Sequence, residues 1–251
     1  MKPPFKFLTF LLLASVSAFA ADQPMPKTAP PVPKEFAPIV DDPALPRVLL
    51  IGDSVSVAYT LDVRKNLAGV ANVHRIAANG GSTRTALGDY GLVRWIKPGD
   101  KWDVIHFNHG LHDLSYRFAD DRDKNDKGEY ASPTNGGHPN VALDQYEKNL
   151  RVIVARLKQT GAKLIFANTT PVPESDAAKY VKDSELPYNV AARKVMDEEG
   201  VAWNDVWSAV KPRQDELQGR RNVHFMASGS AVLAKQVAEA ITRALPVPSA
   251  R

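Results

Sequence analysis

From Arg47 onward, the chain alternates short β-branched segments with amphipathic segments of helical period, and this alternation restricts the fold more than any other feature. The clearest helical patterns are at 142–160 and 227–244. A strand–helix–strand succession predicts an α/β domain with a parallel sheet, because parallel strands need crossover connections, and it predicts helices on both faces of that sheet. The predicted strands are 47–51, 73–76, 103–108, 163–168 and 201–206.

Polar and glycine residues follow four of these predicted strands. In an open parallel sheet, ligands bind in the crevice beyond the carboxyl ends of the strands. We therefore expect the functional site at this edge of the sheet. The segments that follow the strands are Gly52-Asp53-Ser54, Asn79-Gly80-Gly81-Ser82, residues 108–113 and Thr169-Thr170-Pro171.

The first twenty residues have the pattern of a secretory signal peptide. Lys2 and Lys6 give a basic start before an apolar run, "FLTFLLLASVSAF", and Ala18-Phe19-Ala20 is a small-x-small cleavage site. The run is shorter than the roughly 20 residues that span a bilayer, so we expect no stable membrane insertion. The pattern predicts cleavage after Ala20 and export to the periplasm or the extracellular space.

Residues 21–46 are rich in proline and lack apolar periodicity, which predicts an extended linker before a single domain at 47–247. The alternative is an N-terminal arm that packs on the domain through Phe36 and Ile39.

The composition argues against disulfide bonds and against a nucleic-acid partner. The chain has no cysteine, so it has no disulfide framework even though it is predicted to be exported. The net charge is +4, of which Lys2 and Lys6 supply two charges. No dense block of Lys and Arg is present, so nucleic acid is not an expected partner.

Ser54 follows the first predicted strand in "RVLLIGDSVSVAY". This segment alone favours a helix N-cap, because every helix start needs acceptors for its N–H groups. Ser54 can also be a nucleophile, which needs a base to take its proton and donors to hold the oxyanion. His224, on a predicted loop before the last helix, is a candidate base, since histidine is the usual general base near neutral pH.

Four motifs, "IGDSVS", "NGGST", "GLHDL" and "NVHFMASGSAVLA", resemble those of the SGNH (GDSL-type) hydrolase family in order and rough spacing, from about Arg47 to Leu245. The resemblance implies a flavodoxin-like three-layer α/β/α sandwich with a parallel five-stranded sheet. It also implies a secreted serine esterase without a metal or organic cofactor. Ser54 is then the nucleophile and His224 the base, while the oxyanion donors are the N–H groups of Ser54 and of Gly81, or else of Gly80.

Two positions depart from the family pattern. The oxyanion asparagine of the third motif is replaced by His112, so either its imidazole or Asn108 would supply that hydrogen bond. His109 and His112 together are too weak a pattern to predict a metal site.

The acid that usually stands three residues before the catalytic histidine is replaced by Arg221, which cannot accept a hydrogen bond. The group that orients His224 is therefore left open by the sequence. The alternatives are a backbone carbonyl, Asn222, or an acid from elsewhere, of which Asp205, Asp215 and Glu216 are nearby in sequence.

Residues 114–141 form a long, charged segment that leaves the same sheet edge, and loops of this length are usually functional or disordered. The segment is either a solvated insertion or a substrate platform with Tyr116, Phe118 and Tyr130 as sugar-stacking residues.

The sequence thus predicts an exported serine esterase that hydrolyses a small acyl ester, in particular an acetyl ester, on a carbohydrate. One alternative is a lysophospholipase or thioesterase that acts on longer acyl chains. Another is a non-catalytic glycan-binding protein on a decayed hydrolase fold, suggested by Arg221 and His112 at positions of usual catalytic types.

Overall fold

The structure is a computed structural model that describes residues 31–118, 129–175 and 177–246. The predicted signal peptide, residues 1–20, lies outside the described residues. So do residues 21–30 of the predicted linker, residues 119–128 of the long segment and residue 247.

Five parallel strands form the central sheet, in the order β2-β1-β3-β6-β7. This is the order of flavodoxin-like folds, so the predicted α/β fold with a parallel five-stranded sheet is confirmed. A separate antiparallel pair joins β4 to β5. The strands are β1 (Arg47–Ile51), β2 (Asn72–Arg75), β3 (Val104–Phe107), β4 (Tyr116–Arg117), β5 (His138–Pro139), β6 (Lys163–Ala167) and β7 (Ala202–Asn204).

Helices cover the sheet in two layers, one built on α1 with α9 and the other on α5 with α6. The apolar stripes predicted from the sequence are buried; on α5, for example, Leu150, Ile153 and Leu157 are fully inaccessible. Among the described residues, no helix has the length and apolar character needed to cross a membrane. The helices are α1 (Ser54–Asn66), α2 (Thr83–Leu87), α3 (Leu92–Trp95), α4 (Leu111–Leu114), α5 (Leu143–Lys158), α6 (Glu185–Glu198), α7 (Val206–Val210), α8 (Gln214–Leu217) and α9 (Ala227–Ala244).

Residues 33–46 pack on the domain, which differs from the extended linker favoured by their composition. Arg64 of α1 donates to the carbonyl oxygens of Lys34 and Ala37 at 3.0 and 3.3 Å. The ring of Phe36 lies 5.6 Å from the guanidinium carbon of Arg75 on β2. Residues 33–37 form a turn in which the Phe36 N–H donates to the Pro33 carbonyl at 2.9 Å, and the bonds from Arg64 attach this turn to α1. This part of the chain therefore forms the alternative N-terminal arm.

His106 is a titratable group in the middle of the core, on the central strand β3. Its side chain is buried, and its Nε2 lies 3.1 Å from Nδ2 of Asn204 on β7. The Asn204 amide is held in turn by Gln236 of α9, whose Nε2 donates to Asn204 Oδ1 at 3.0 Å. Burial lowers the pKa of His106 to about 4, so the imidazole is neutral in the folded protein.

Replacing His106 with Gln should reduce the acid sensitivity of the fold. An unfolded histidine titrates near 6.5, so between about pH 6.5 and pH 4 the unfolded state binds more protons and stability falls as the pH falls. The loss over this window is on the order of 3 kcal/mol. Urea unfolding at pH 7.5 and pH 4 should show a smaller difference for His106→Gln by about that amount. The exposed His138→Gln is the matched control, and an equal difference in both variants would contradict the assignment to His106.

Candidate active site

The turn between β1 and α1 places Ser54 at the carboxyl edge of the sheet. The helix cap is supplied by the preceding residue, because Asp53 Oδ1 accepts from the Val55 N–H at 2.9 Å. Ser54 is the first residue of α1, and its Oγ lies 2.8 Å from Nε2 of His224. Asp53 therefore meets the capping need of the helix, and the Ser54 hydroxyl is directed to a base.

His224 lies on a short hairpin, residues 218–225, which we call the histidine hairpin. Gln218 and Phe225 form an antiparallel bridge, and the Gly219 N–H donates to the His224 carbonyl at 2.8 Å. The Gln218 amide donates to the carbonyls of Pro171 and Val223 at 2.9 and 3.0 Å. These bonds attach the hairpin to the segment that follows β6, and so they hold His224 over the end of the sheet.

Asn222 orients the imidazole of His224. Its Oδ1 lies 2.9 Å from His224 Nδ1 and also accepts from the His224 backbone N–H at 2.9 Å. A backbone N–H can only donate, so the atom that faces it is the amide oxygen, and Nδ1 must carry the proton. Nε2 is then unprotonated and accepts from the Ser54 hydroxyl, which gives a Ser54–His224–Asn222 relay.

Two of the three acids considered for that role have other partners, and so does the arginine at the position where the family usually has an acid. Arg221 pairs with Glu174 at 3.1 Å. Asp205 caps α7 by accepting from the Ser208 N–H at 3.0 Å, and Glu216 pairs with Arg213 on its own turn at 2.8 Å. Asp215 lies on α8. Among the alternatives left open by the sequence, the structure places Asn222 against the histidine.

The two glycines after β2 have different roles. The Gly80 N–H donates to the Gly52 carbonyl at 2.9 Å, and a Cβ on Gly80 would lie only 2.9 Å from that oxygen. Gly80 thus allows the close approach of the two turns, and its N–H is already used there. Gly81 has a φ of +58°, and its N–H donates to the side chain of Asn79 at 3.0 Å. Gly81 remains the better oxyanion candidate, because an Asn side chain can rotate away when a substrate binds.

The remaining candidates lie on the segment after β3. Asn108 donates through Nδ2 to the Ala167 carbonyl at 2.8 Å, which joins the ends of β3 and β6. It also lines a small cavity of about 20 Å³ together with Asp53 and Ser56. His112 lies half-buried on α4, and its carbonyl accepts from Ser115 and Asn140 at 2.9 and 3.0 Å. Their use as oxyanion donors stays a prediction.

The predicted sugar-stacking residues lie near β4. The Tyr116 N–H donates to the Lys179 carbonyl at 2.9 Å. The Tyr130 ring centre lies 3.5 Å from Lys179 Nζ and 4.1 Å from the Arg117 guanidinium carbon. Burial opposes ionisation of Tyr130, but the hydrogen bonds and charges of Lys179 and Arg117 lower its pKa. Part of the Tyr130 ring is thus covered by cations, and stacking of a sugar on it stays a prediction.

Sequence reasoning missed Arg75, whose buried guanidinium holds the turn before Ser54. Its Nη2 donates to the Gly52 carbonyl at 2.7 Å, and its Nη1 donates to Ser56 Oγ at 2.7 Å. Burial lowers the pKa of Arg75 to about 10, which leaves it charged at neutral pH. The signal was available, since "VHRI" contains an arginine inside a strand that is otherwise suited to burial.

Two residues of the segment after β3 bind the turn that carries Gly81, and the sequence did not predict these contacts. Asp113 is buried and accepts from the Thr83 N–H at 2.9 Å and from the Thr83 hydroxyl. His109 Nδ1 lies 3.1 Å from the Gly81 carbonyl oxygen. Both contacts hold the turn that carries Gly81 in place. Within the described residues, no group of three or more His, Asp or Glu side chains is arranged to hold a metal ion.

Comparisons with known proteins agree with this fold. The family model described as "GDSL-like Lipase/Acylhydrolase family" matches residues 50–232, which is more than half of the chain. A lipase/acylhydrolase from Enterococcus faecalis has a similar structure, with a TM-score of 0.61 and 17% identity over 82% of this chain and 100% of the other. An acetylxylan esterase from Geobacillus stearothermophilus has a TM-score of 0.54 and 19% identity over 78% of this chain and 94% of the other. At these identities the two structures show a shared fold, and no curated protein matches the chain.

Two substitutions of Asn222 should have different effects, one on kcat and the other on the pH dependence of kcat/KM. Asn222→Ala removes the acceptor for Nδ1, and we expect kcat for p-nitrophenyl acetate to fall by roughly 10²- to 10⁴-fold, as for the loss of the orienting group in a related triad. Asn222→Asp keeps the acceptor and adds a charge that stabilises the protonated imidazole, so the acid limb of kcat/KM should move to higher pH. A wild-type profile in Asn222→Asp, or kcat within twofold of wild type in Asn222→Ala, would refute the relay.

Arg75→Met should lower kcat much more than it changes KM, because it removes the charged donor to Ser56 and one of the two donors to the Gly52 carbonyl, which loosens the turn before Ser54. Arg75→Lys restores one charged donor and should recover part of kcat. Arg64→Met is the matched control, since Arg64 binds the N-terminal arm and does not contact that turn. Kinetics at a temperature well below the Tm of each variant separate this effect from unfolding, and equal kcat in the Arg75→Met and Arg64→Met variants would exclude the positioning role.

Proposed function

The chain belongs to the GDSL-like lipase/acylhydrolase family and is an ester hydrolase, and we propose that it is an exported serine esterase that removes acetyl groups from a carbohydrate. The observation that carries the proposal is the relay in which Asn222 holds the His224 imidazole and His224 contacts the Ser54 hydroxyl at 2.8 Å. An activated serine at the carboxyl edge of the sheet is suited to acyl transfer.

The reaction proceeds in two halves. Ser54 Oγ attacks the ester carbonyl carbon while His224 Nε2 takes the hydroxyl proton. The tetrahedral intermediate then breaks its bond to the alcohol oxygen, and that oxygen receives the proton from His224. Water repeats the attack on the acyl-serine with His224 as base, which releases acetate and restores the Ser54 hydroxyl.

Backbone donors at the start of α1 stabilise the negative charge that develops on the carbonyl oxygen. The first N–H groups of a helix have no intrahelical acceptor, and the Asp53 carboxylate accepts from that of Val55. The Ser54 N–H, at the positive end of a helix of 13 residues, is therefore suited to receive the oxyanion. Gly81, on the neighbouring turn, would supply the second donor.

The cavities in the described part of the chain give no sign of a site for a long acyl chain at the relay. Four cavities of about 490 to 750 Å³ are lined by residues other than Ser54 and His224. A long acyl chain needs a large apolar site beside the nucleophile. The acetylxylan esterase activity in the name of one structural neighbour agrees with an acetyl group on a carbohydrate.

Export is supported by the sequence alone. The basic start with Lys2 and Lys6, the apolar run and Ala18-Phe19-Ala20 form a complete signal-peptide pattern. An exported enzyme has access to acylated carbohydrates outside the cytoplasm.

Ser54→Ala should abolish hydrolysis of p-nitrophenyl acetate, with kcat lower by about 10⁶-fold, as expected for loss of a nucleophile. In the wild type, kcat/KM should fall from acetate through butyrate to octanoate. Ser208→Ala is the matched control, because the exposed Ser208 hydroxyl donates to Asp205 at the start of α7 and has no part in the relay. Turnover by Ser54→Ala at the wild-type rate would reject the mechanism, and a preference for octanoate would favour a lysophospholipase or thioesterase.

A further inference from the structure

The Arg75 guanidinium lies between the N-terminal arm and the turn before Ser54. Its Nη2 donates to the Gly52 carbonyl and its Nη1 donates to Ser56 Oγ, both at 2.7 Å. The guanidinium carbon lies over the ring of Phe36, on the arm, at 5.6 Å from the ring centre. A single side chain thus connects Phe36 to the turn that carries the nucleophile.

The guanidinium of Arg75 is a buried cation with an incomplete set of hydrogen bonds. Arg75 is only 8% exposed, and its Nε has no hydrogen-bond partner among the described residues. Burial of a charge is costly unless the surroundings replace the lost hydration. Burial lowers the pKa of Arg75, while the Glu35 carboxylate of the arm is among the charges that favour the protonated form. The contacts that the arm makes with Arg75 therefore contribute to keeping this cation in place.

The Phe36 ring stabilises the guanidinium in a way that its hydrogen bonds do not. A cation within about 6 Å of a ring centre is attracted by the negative face of the ring, and the attraction is stronger when the cation is desolvated. The ring also covers the guanidinium. Without this cover, we expect water to compete for the N–H groups that bind Gly52 and Ser56, which would weaken both hydrogen bonds.

The N-terminal arm is attached to the domain by several contacts that do not involve the Phe36 ring. Arg47 Nε of β1 donates to Asp41 Oδ2 at 2.8 Å, and His74 Nε2 of β2 lies 2.6 Å from Asp41 Oδ1. Arg64 of α1 binds two carbonyls of the arm. Because these attachments are separate, loss of Arg64 alone should leave the arm in place, whereas loss of the ring removes the contact with the guanidinium itself.

We propose that Phe36 is a positioning residue for Ser54 that acts through Arg75, so that the N-terminal arm is part of the catalytic unit. The inference rests on the proposed function in one respect, namely that Ser54 is the nucleophile, and it applies to any ester that the enzyme hydrolyses. Phe36 acts on the geometry of the nucleophile and not on the substrate. Its loss should therefore lower kcat and leave KM unchanged.

Variants of the arm in the full chain test the role of the ring. Phe36→Ala should lower kcat for p-nitrophenyl acetate about five- to tenfold, as expected for loss of a desolvated cation–π contact, with KM within about twofold of wild type. Phe36→Tyr keeps an aromatic face and should keep kcat within about twofold of wild type. Val40→Ala is the matched control, because Val40 is on the same arm and is 96% exposed. Rates are expressed per active enzyme, titrated with a fluorophosphonate, so that partial unfolding is not counted as a loss of kcat.

A double-mutant cycle determines whether Phe36 acts through Arg75. In the Arg75→Met background the cation is absent, so Phe36→Ala should change kcat by less than about twofold further. Arg75→Gln also removes the charge but keeps a neutral donor, and it serves as the background for the same cycle if Arg75→Met does not fold.

Three results would overturn the positioning role of Phe36. These are a wild-type kcat in Phe36→Ala, a loss in Phe36→Tyr as large as in Phe36→Ala, and the full loss from Phe36→Ala in the background without the Arg75 charge. A raised KM with unchanged kcat would also overturn it, because that result indicates a contact with the substrate. The proposed function is decided separately by Ser54→Ala: turnover by that variant at the wild-type rate would refute the nucleophile, whereas failure of the Phe36 prediction would leave hydrolysis by Ser54 intact.

Discussion

The hydrogen bond from the Val55 N–H to the Asp53 carboxylate determines what Ser54 can do. The first N–H groups of a helix need an acceptor, and a serine at the N-cap often supplies it. Because Asp53 supplies it, the Ser54 hydroxyl is directed to His224 at 2.8 Å, while its backbone N–H stays at the positive end of α1. Arg75 and the Gly80 N–H both donate to the Gly52 carbonyl in the same turn, so the position of Ser54 is fixed before a substrate binds.

The relay uses a neutral amide where this fold family usually has a carboxylate. The Asn222 oxygen fixes the tautomer of His224 as a carboxylate would, because it can only accept the Nδ1 proton. It supplies less stabilisation to the imidazolium that forms during the reaction, since the amide carries no net charge. In the proposed mechanism, the oxyanion donors and the dipole of α1 would therefore supply a larger share of the electrostatic stabilisation than they would beside an aspartate.

The strands and long helices could be predicted from the sequence because their signal is local and periodic, as in "RVLLI" and in the stripe that contains Leu150 and Ile153. The edge of the sheet that carries the site followed from the same pattern. The partners of single side chains could not be predicted, because they depend on residues brought together only by the tertiary fold. Arg75 reaches back to Gly52 across 23 positions, and the carbonyls of the arm at residues 33–46 are bound by Arg64 in a stretch that has no periodicity at all. Likewise Asn222 was one of several groups near His224 in sequence, and only its position on a closed hairpin identifies it.

Positions 221 and 222 explain each other. The left-handed backbone at Arg221 turns the chain, so that the side chain of Asn222 reaches His224 while that of Arg221 contacts Glu174. Once residue 222 holds the imidazole, an acid at 221 is no longer needed for that purpose, and a long cation can stand there without loss of the relay. The hairpin thus orients the imidazole through the Asn222 side chain, while the guanidinium of the residue before it pairs with Glu174 on the segment after β6.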